Sequence, residues 1–122
     1  MKLRNGDIVN ISKLNQSKER ISMSFGSLGL CDDLLKTIIE QGYTTPSPIQ
    51  IEAIPAVLSQ RDVMAVAHTG TGKTAGFTLP MLQLLSGSST QIGDSQLAQS
   101  VRALVITPTR ELAAQVASSV HN

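Results

Sequence analysis

The chain has 122 residues, of which 41% are apolar, so it is long and apolar enough to bury the core of one domain and is not a disordered polymer. A single cysteine, Cys31, excludes an intramolecular disulfide and any multi-cysteine metal site, and fits a reducing, cytoplasmic setting. The apolar runs are shorter than a membrane span, and the N-terminus lacks the unbroken apolar core of a secretion signal.

The formal charge of +1 conceals an uneven distribution, because residues 1–22 hold Lys2, Arg4, Lys13, Lys18 and Arg20 against Asp7 and Glu19. This stretch reads as a flexible basic leader, too sparse to assign to nucleic acid. From Cys31 to Gln41 the spacing predicts a helix with Leu34, Leu35, Ile38 and Ile39 on one face, acidic residues in its first turn and Gly42 as its stop. Tyr43 to Pro46 is a loop. Ser47-Pro48 then has the form of an N-cap followed by proline at the first helical position, opening a helix through about Leu58 that Pro55 should bend.

Asp62 to Ala67 is a short apolar run suited to a buried parallel strand, and Lys73 to Leu85 continues as a helix in which Pro80 predicts a kink or an early end near Leu79. Ser86 to Ser100 is polar and Ser/Gly/Gln-rich, the pattern of a mobile surface loop with a short turn at Leu97-Ala98. Arg102 to Thr107 reads as a second buried strand. Thr109 to Val120 reads as a helix with Leu112, Val116 and Val120 on one face. Two parallel strands joined through a helix make a right-handed crossover of the α/β class. A parallel sheet needs further strands and both faces covered, so the chain is expected to be the opening of a larger nucleotide-binding domain.

Between the first strand and its helix lies Ala67-His68-Thr69-Gly70-Thr71-Gly72-Lys73-Thr74. Glycines let the backbone curl so that successive N–H groups face phosphate oxygens, and the following helix brings its positive end to the same place. Lys73 would meet the β- and γ-phosphates of a nucleotide and Thr74 would ligand Mg²⁺. The usual pattern begins with glycine where this chain has Ala67, so strand, loop and helix in that order carry the assignment. The competing reading is a solvent turn that happens to be rich in glycine and threonine.

Phe25, the run Gly42-Tyr43-Thr44-Thr45-Pro46-Ser47-Pro48-Ile49-Gln50, the phosphate loop and Pro108-Thr109-Arg110-Glu111-Leu112 occur in the order found in DEAD-box ATP-dependent RNA helicases, which this chain resembles over about residues 23 to 122. The phrasing is most similar to the bacterial RhlE-type branch. The resemblance implies a partial RecA-like phosphate-loop domain, the first half of the first such domain, with an adenine-reading motif at 23–51, the phosphate loop at 67–74 and an RNA-gripping motif at 108–112. It implies ATP, Mg²⁺ and RNA as ligands, and Lys73 and Thr74 as catalytic.

By the same resemblance Gln50 reads the adenine edge, where a carboxamide donates and accepts at once. Tyr43 stacks on the ring and Phe25 packs behind the glutamine loop. Two alternatives stand beside this: Ser47-Pro48-Ile49-Gln50 is also a capping box, and both aromatics fit a core. Thr109 and Arg110 match residues that hold the RNA backbone, the alternative being an N-cap and a solvated helix charge. His68 takes the place of the family's usual glutamine, with its side chain outward. No Asp-Glu-Ala-Asp or Ser-Ala-Thr element occurs, nor do the second-domain arginines, so the chain alone should not turn over ATP. The rival readings are a truncated, non-enzymatic product that at best binds nucleotide, and a DNA helicase or transporter-type ATPase, against which the Gln50 motif argues.

Overall fold

Local signals set the helix boundaries. The computed structural model describes residues 24–87 and 101–121, and its regular structure is a single 3₁₀ turn, Phe25–Leu28, followed by α1 (Asp32–Glu40), α2 (Pro48–Leu58), α3 (Lys73–Gly87) and α4 (Arg110–His121). α1 starts with Asp32 and Asp33 at its positive end. It stops where Gly42 turns left-handed at φ 81°. The Gly42 and Tyr43 amides then reach back to Ile39 and Ile38 carbonyls at 2.9 and 3.0 Å, a Schellman closure. α2 closes the same way, with Gln60 and Arg61 donating to Val57 and Ala56 at 2.8 and 3.2 Å. There the left-handed residue is Gln60, at φ 55°, the lone non-glycine with positive φ among the described residues.

Phe25, Leu28, Leu30, Ile38 and Ile54 form the core, with Leu34, Leu35, Ile51, Leu58 and Leu79 packed around them. Each such side chain contributes roughly 1.5–3 kcal/mol when fully buried. Ile39, expected on the same face as Ile38, is 70% exposed. Successive helical residues point about 100° apart, so a stripe this narrow takes one of the two.

α2 and α3 form the most extensive helix pairing, and Gly76 faces α2, where a Cβ would lie 3.8 Å from Gln50 Cγ and 3.9 Å from Ala53 Cβ. Pro80 neither ends α3 nor stops it at Leu79: the helix runs on to Gly87, taking in Ser86 and Gly87 from the expected loop. An interior proline costs about 3 kcal/mol, and the burial of its ring works against that cost. Pro55 is likewise inside α2, on its exposed side.

Gln83 draws the start of the fold onto α3. Its Oε1 accepts from the Cys31 N–H at 2.7 Å and its Nε2 donates to the Gly29 carbonyl at 2.8 Å. Arg102 donates to the Leu85 carbonyl at 2.5 Å, a cation at the negative end of α3.

The expected strands at Asp62–Ala67 and Arg102–Thr107 do not form a ladder, and no strand occurs among the described residues. Leu104 and Ile106 are 79% and 85% exposed. A strand exists only through hydrogen bonds to a neighbour, and neither segment has one here. The expected leader at 1–22 and the turn at Leu97-Ala98 lie outside the described residues. No described helix is long and apolar enough to cross a membrane.

Candidate functional site

Residues 67–74 run from the irregular segment into the first turn of α3. Gly70 and Gly72 both adopt left-handed conformations, at φ 79° and 83°. Gly72 is constrained twice, since a Cβ there would stand 2.4 Å from Gln50 Nε2. Ala67 has no positive φ, which explains why the loop closes without the first glycine of the usual pattern.

The helical ladder begins with Gly76 donating to the Gly72 carbonyl at 3.0 Å, so the Lys73, Thr74 and Ala75 amides have no acceptor within the helix. The Lys73 ammonium donates to the carbonyls of Ala67 and of His68, the latter at 2.8 Å, and Thr71 Oγ1 donates to the same His68 carbonyl at 2.8 Å. An ammonium has three protons, so one remains for a ligand. His68 and Thr69 are exposed, and the His68 side chain points outward as expected; its backbone, not its imidazole, shapes the loop.

Beside the loop is a cleft of about 700 Å³, within the range of small-molecule sites. It is lined by Gly70, Gly72, Lys73 and Thr74 of the loop and by Phe25, Tyr43 and Gln50 from the segment before it. Among the described lining residues Lys73 is the only formally charged side chain and no carboxylate is present, so the cleft favours an anion.

Gln50 is 3% exposed and tied at both ends of its amide: Oε1 accepts from the Ser47 N–H at 2.8 Å, and Nε2 donates to the Gly72 carbonyl at 3.2 Å. Only the Gln50 half of a capping box is thus made, the side-chain oxygen accepting from the Ser47 backbone N–H. The Gln50 amide goes to the Ser47 carbonyl at 3.0 Å, and the buried Ser47 hydroxyl has no partner. One lone pair and one N–H of the Gln50 carboxamide stay unused, so the cap does not exhaust what a purine edge requires. Phe25 belongs to the core while also lining the cleft. Tyr43, by contrast, is 48% exposed and is not a core residue. Its place is set by the Gly42 turn.

Thr109 and Arg110 do not line the cleft. Thr109 caps α4, its Oγ1 accepting from the Leu112 N–H at 3.2 Å, and Arg110 is exposed. Sequence reading missed the α4 side of the cleft, where Leu112, Gln115 and Ser119 recur at helical spacing. It also missed Gln83, whose partners lie more than fifty residues away. No group of three or more His, Cys, Asp or Glu suited to a metal occurs among the described residues, so a cation here would depend on Thr74 and on oxygens of the ligand.

The family described as DEAD/DEAH box helicase matches residues 47–122. The DEAD-box ATP-dependent RNA helicase RhpA of Helicobacter pylori (strain B128) is 52% identical over 97 residues, 80% of this chain and 18% of that protein. ATP-dependent RNA helicase DDX54 of Mus musculus is 42% identical over 109 residues, 89% of this chain and 12% of that protein. Among solved structures, a DEAD box protein from the hyperthermophile Methanococcus jannaschii aligns with a TM-score of 0.67 at 36% identity, covering 81% of this chain and 25% of that one. The RNA helicase Prp28 from Chaetomium thermophilum bound to ADP aligns with a TM-score of 0.70 at 39% identity, covering 80% and 23%. The chain therefore spans less than a fifth of the length of the curated relatives it matches.

Proposed function

The chain belongs to the DEAD-box RNA helicase family, and we propose that it forms the opening part of the first RecA-like domain of an ATP-dependent RNA helicase, with ATP in the cleft between Tyr43 and Lys73. The observation that carries this reading is the Gln50–Gly72–Lys73 arrangement. One buried carboxamide holds the phosphate loop through the Gly72 carbonyl, and the single lining cation stands next in the chain.

Each residue then has a separate task. The unused donor and acceptor of Gln50 match the adenine edge, which selects ATP over GTP. Tyr43 offers its exposed ring to the base, and Phe25 supports that wall from the core. The amides of Lys73, Thr74 and Ala75 take phosphate oxygens, with the third Lys73 proton adding a charge-assisted bond. The Thr74 hydroxyl fits a hard cation, and Mg²⁺ bound there supplies neutralisation of the β- and γ-phosphate charge. Thr109 keeps its hydroxyl proton while capping α4, so it and Arg110 can contact an RNA phosphate at that helix start.

The phrasing of the motifs is what supports the RhlE-type branch, and the lone, free cysteine Cys31 supports a reducing compartment such as the cytoplasm. A second reading rests on the absence of any lining carboxylate among the described residues: residues 24–121 by themselves bind nucleotide without hydrolysing it, because no described residue of the cleft is a carboxylate that could orient an attacking water. Steady-state turnover tests the first reading. In the full-length protein, Lys73→Ala should lower RNA-stimulated ATP hydrolysis by at least about 100-fold, the usual loss when a charge-stabilising donor is removed. Turnover like that of the wild type would overturn the assignment of the loop.

A further inference from the structure

The Cys31 amide opens α1, yet no side chain of α1 caps it. Its acceptor is Gln83, in the last turns of α3, and the other half of the same carboxamide holds the Gly29 carbonyl. Gly29 and Cys31 flank the turn between the 3₁₀ segment and α1, and Gly29 is left-handed at φ 86° with room for a Cβ only 3.4 Å from Leu58 Cδ1. Both aromatic residues of the cleft hang from this turn: Phe25 precedes it by four residues, and Tyr43 follows at the far end of α1, about 13 Å along the helix. Ten residues before Gln83, the same α3 begins with Lys73 and Thr74.

We infer that Gln83 is a positioning residue that sets the distance between the aromatic wall of the cleft and the phosphate loop. α3 serves as the rigid member, with the phosphate-binding turn at one end and the carboxamide clamp near the other. The task requires a donor and an acceptor on one planar group, which glutamine has and glutamate or methionine lacks. This inference rests on the ATP reading of the cleft. Gln83 touches neither base nor phosphate, and it acts on the ligand only through where it holds the 29–31 turn.

The test uses the full-length protein, with ATP and inorganic tripolyphosphate as two probes titrated calorimetrically. Gln83→Glu keeps the acceptor for Cys31 but sets a carboxylate against the Gly29 carbonyl. The dissociation constant for ATP should rise about tenfold, the scale of one or two lost hydrogen bonds, while that for tripolyphosphate stays within about twofold. If Gln83→Glu melts below the assay temperature, Gln83→Met removes both bonds without adding charge and should show the same split. Equal losses for both probes would mean that Gln83 merely supports α3, and unchanged binding of both would mean that the clamp is idle; either overturns the inference alone. Failure of the wild-type protein to bind ATP overturns the cleft reading and this inference with it.

Discussion

Residues 25–58 and residues 101–106 are both rich in leucine, isoleucine and valine, yet the first set buries its core positions and the second leaves Val101, Leu104 and Ile106 in solvent. The difference lies in the backbone. A helix satisfies most of its own amides and carbonyls, so α1 and α2 need only cover their apolar residues, and backbone caps at Gln41 and Ser59 close their C-terminal ends. A strand satisfies nothing until a second strand lies beside it, so apolar content alone leaves 101–106 irregular. Burial here follows from which segments can close their hydrogen bonds locally.

The largest effect that separates these regions is expected at Ile106. In a longer chain that completes the proposed parallel sheet over this segment, Ile106→Lys should destabilise the fold by about 3–5 kcal/mol through burial of an unpaired charge. In residues 1–122 alone the same change should stay within about 0.5 kcal/mol, as for any exposed site. Denaturant midpoints of both chains decide it, and equal losses would break the comparison. At the closed region, Gln50→Ala removes two buried hydrogen bonds and should cost roughly 2 kcal/mol in either chain by thermal unfolding, while weakening ATP more than GTP in competition binding. A stability loss with equal effects on both nucleotides would make Gln50 a cap alone. The smallest change is a gain: Gln60→Gly relieves the left-handed residue at the end of α2 and should add about 0.5–1 kcal/mol, read from the same melts.

What the sequence reveals divides along the same line. Gly42, Ser47-Pro48 and Thr109 are local signals, and the ends of α1, α2 and α4 fall where they point. The curl of the loop at Gly70 and Gly72 is legible for the same reason. Pro80 misleads because its cost is local, whereas the burial of its ring is set by the tertiary fold. Gln83 is silent in the sequence, since a carboxamide 52 and 54 residues from its partners leaves no periodic trace. Gln50 was readable as a cap or as a purine reader. Only the geometry shows that its remaining valences permit both. The expectation of two strands rests on apolar runs, a signal that reports demand for burial and not its supply.

Lys73 divides its protons between the loop that carries it and whatever the loop holds. Any assay that deletes its side chain therefore sums two losses, the missing charge and a slackened Ala67–His68 backbone. An arginine at this position would retain the charge, but its planar fork cannot converge on two adjacent carbonyls as a tetrahedral ammonium does. The genetic meaning of such a variant is distinct from that of alanine: it would report how much of nucleotide capture depends on the shape of the loop once electrostatic attraction has been preserved.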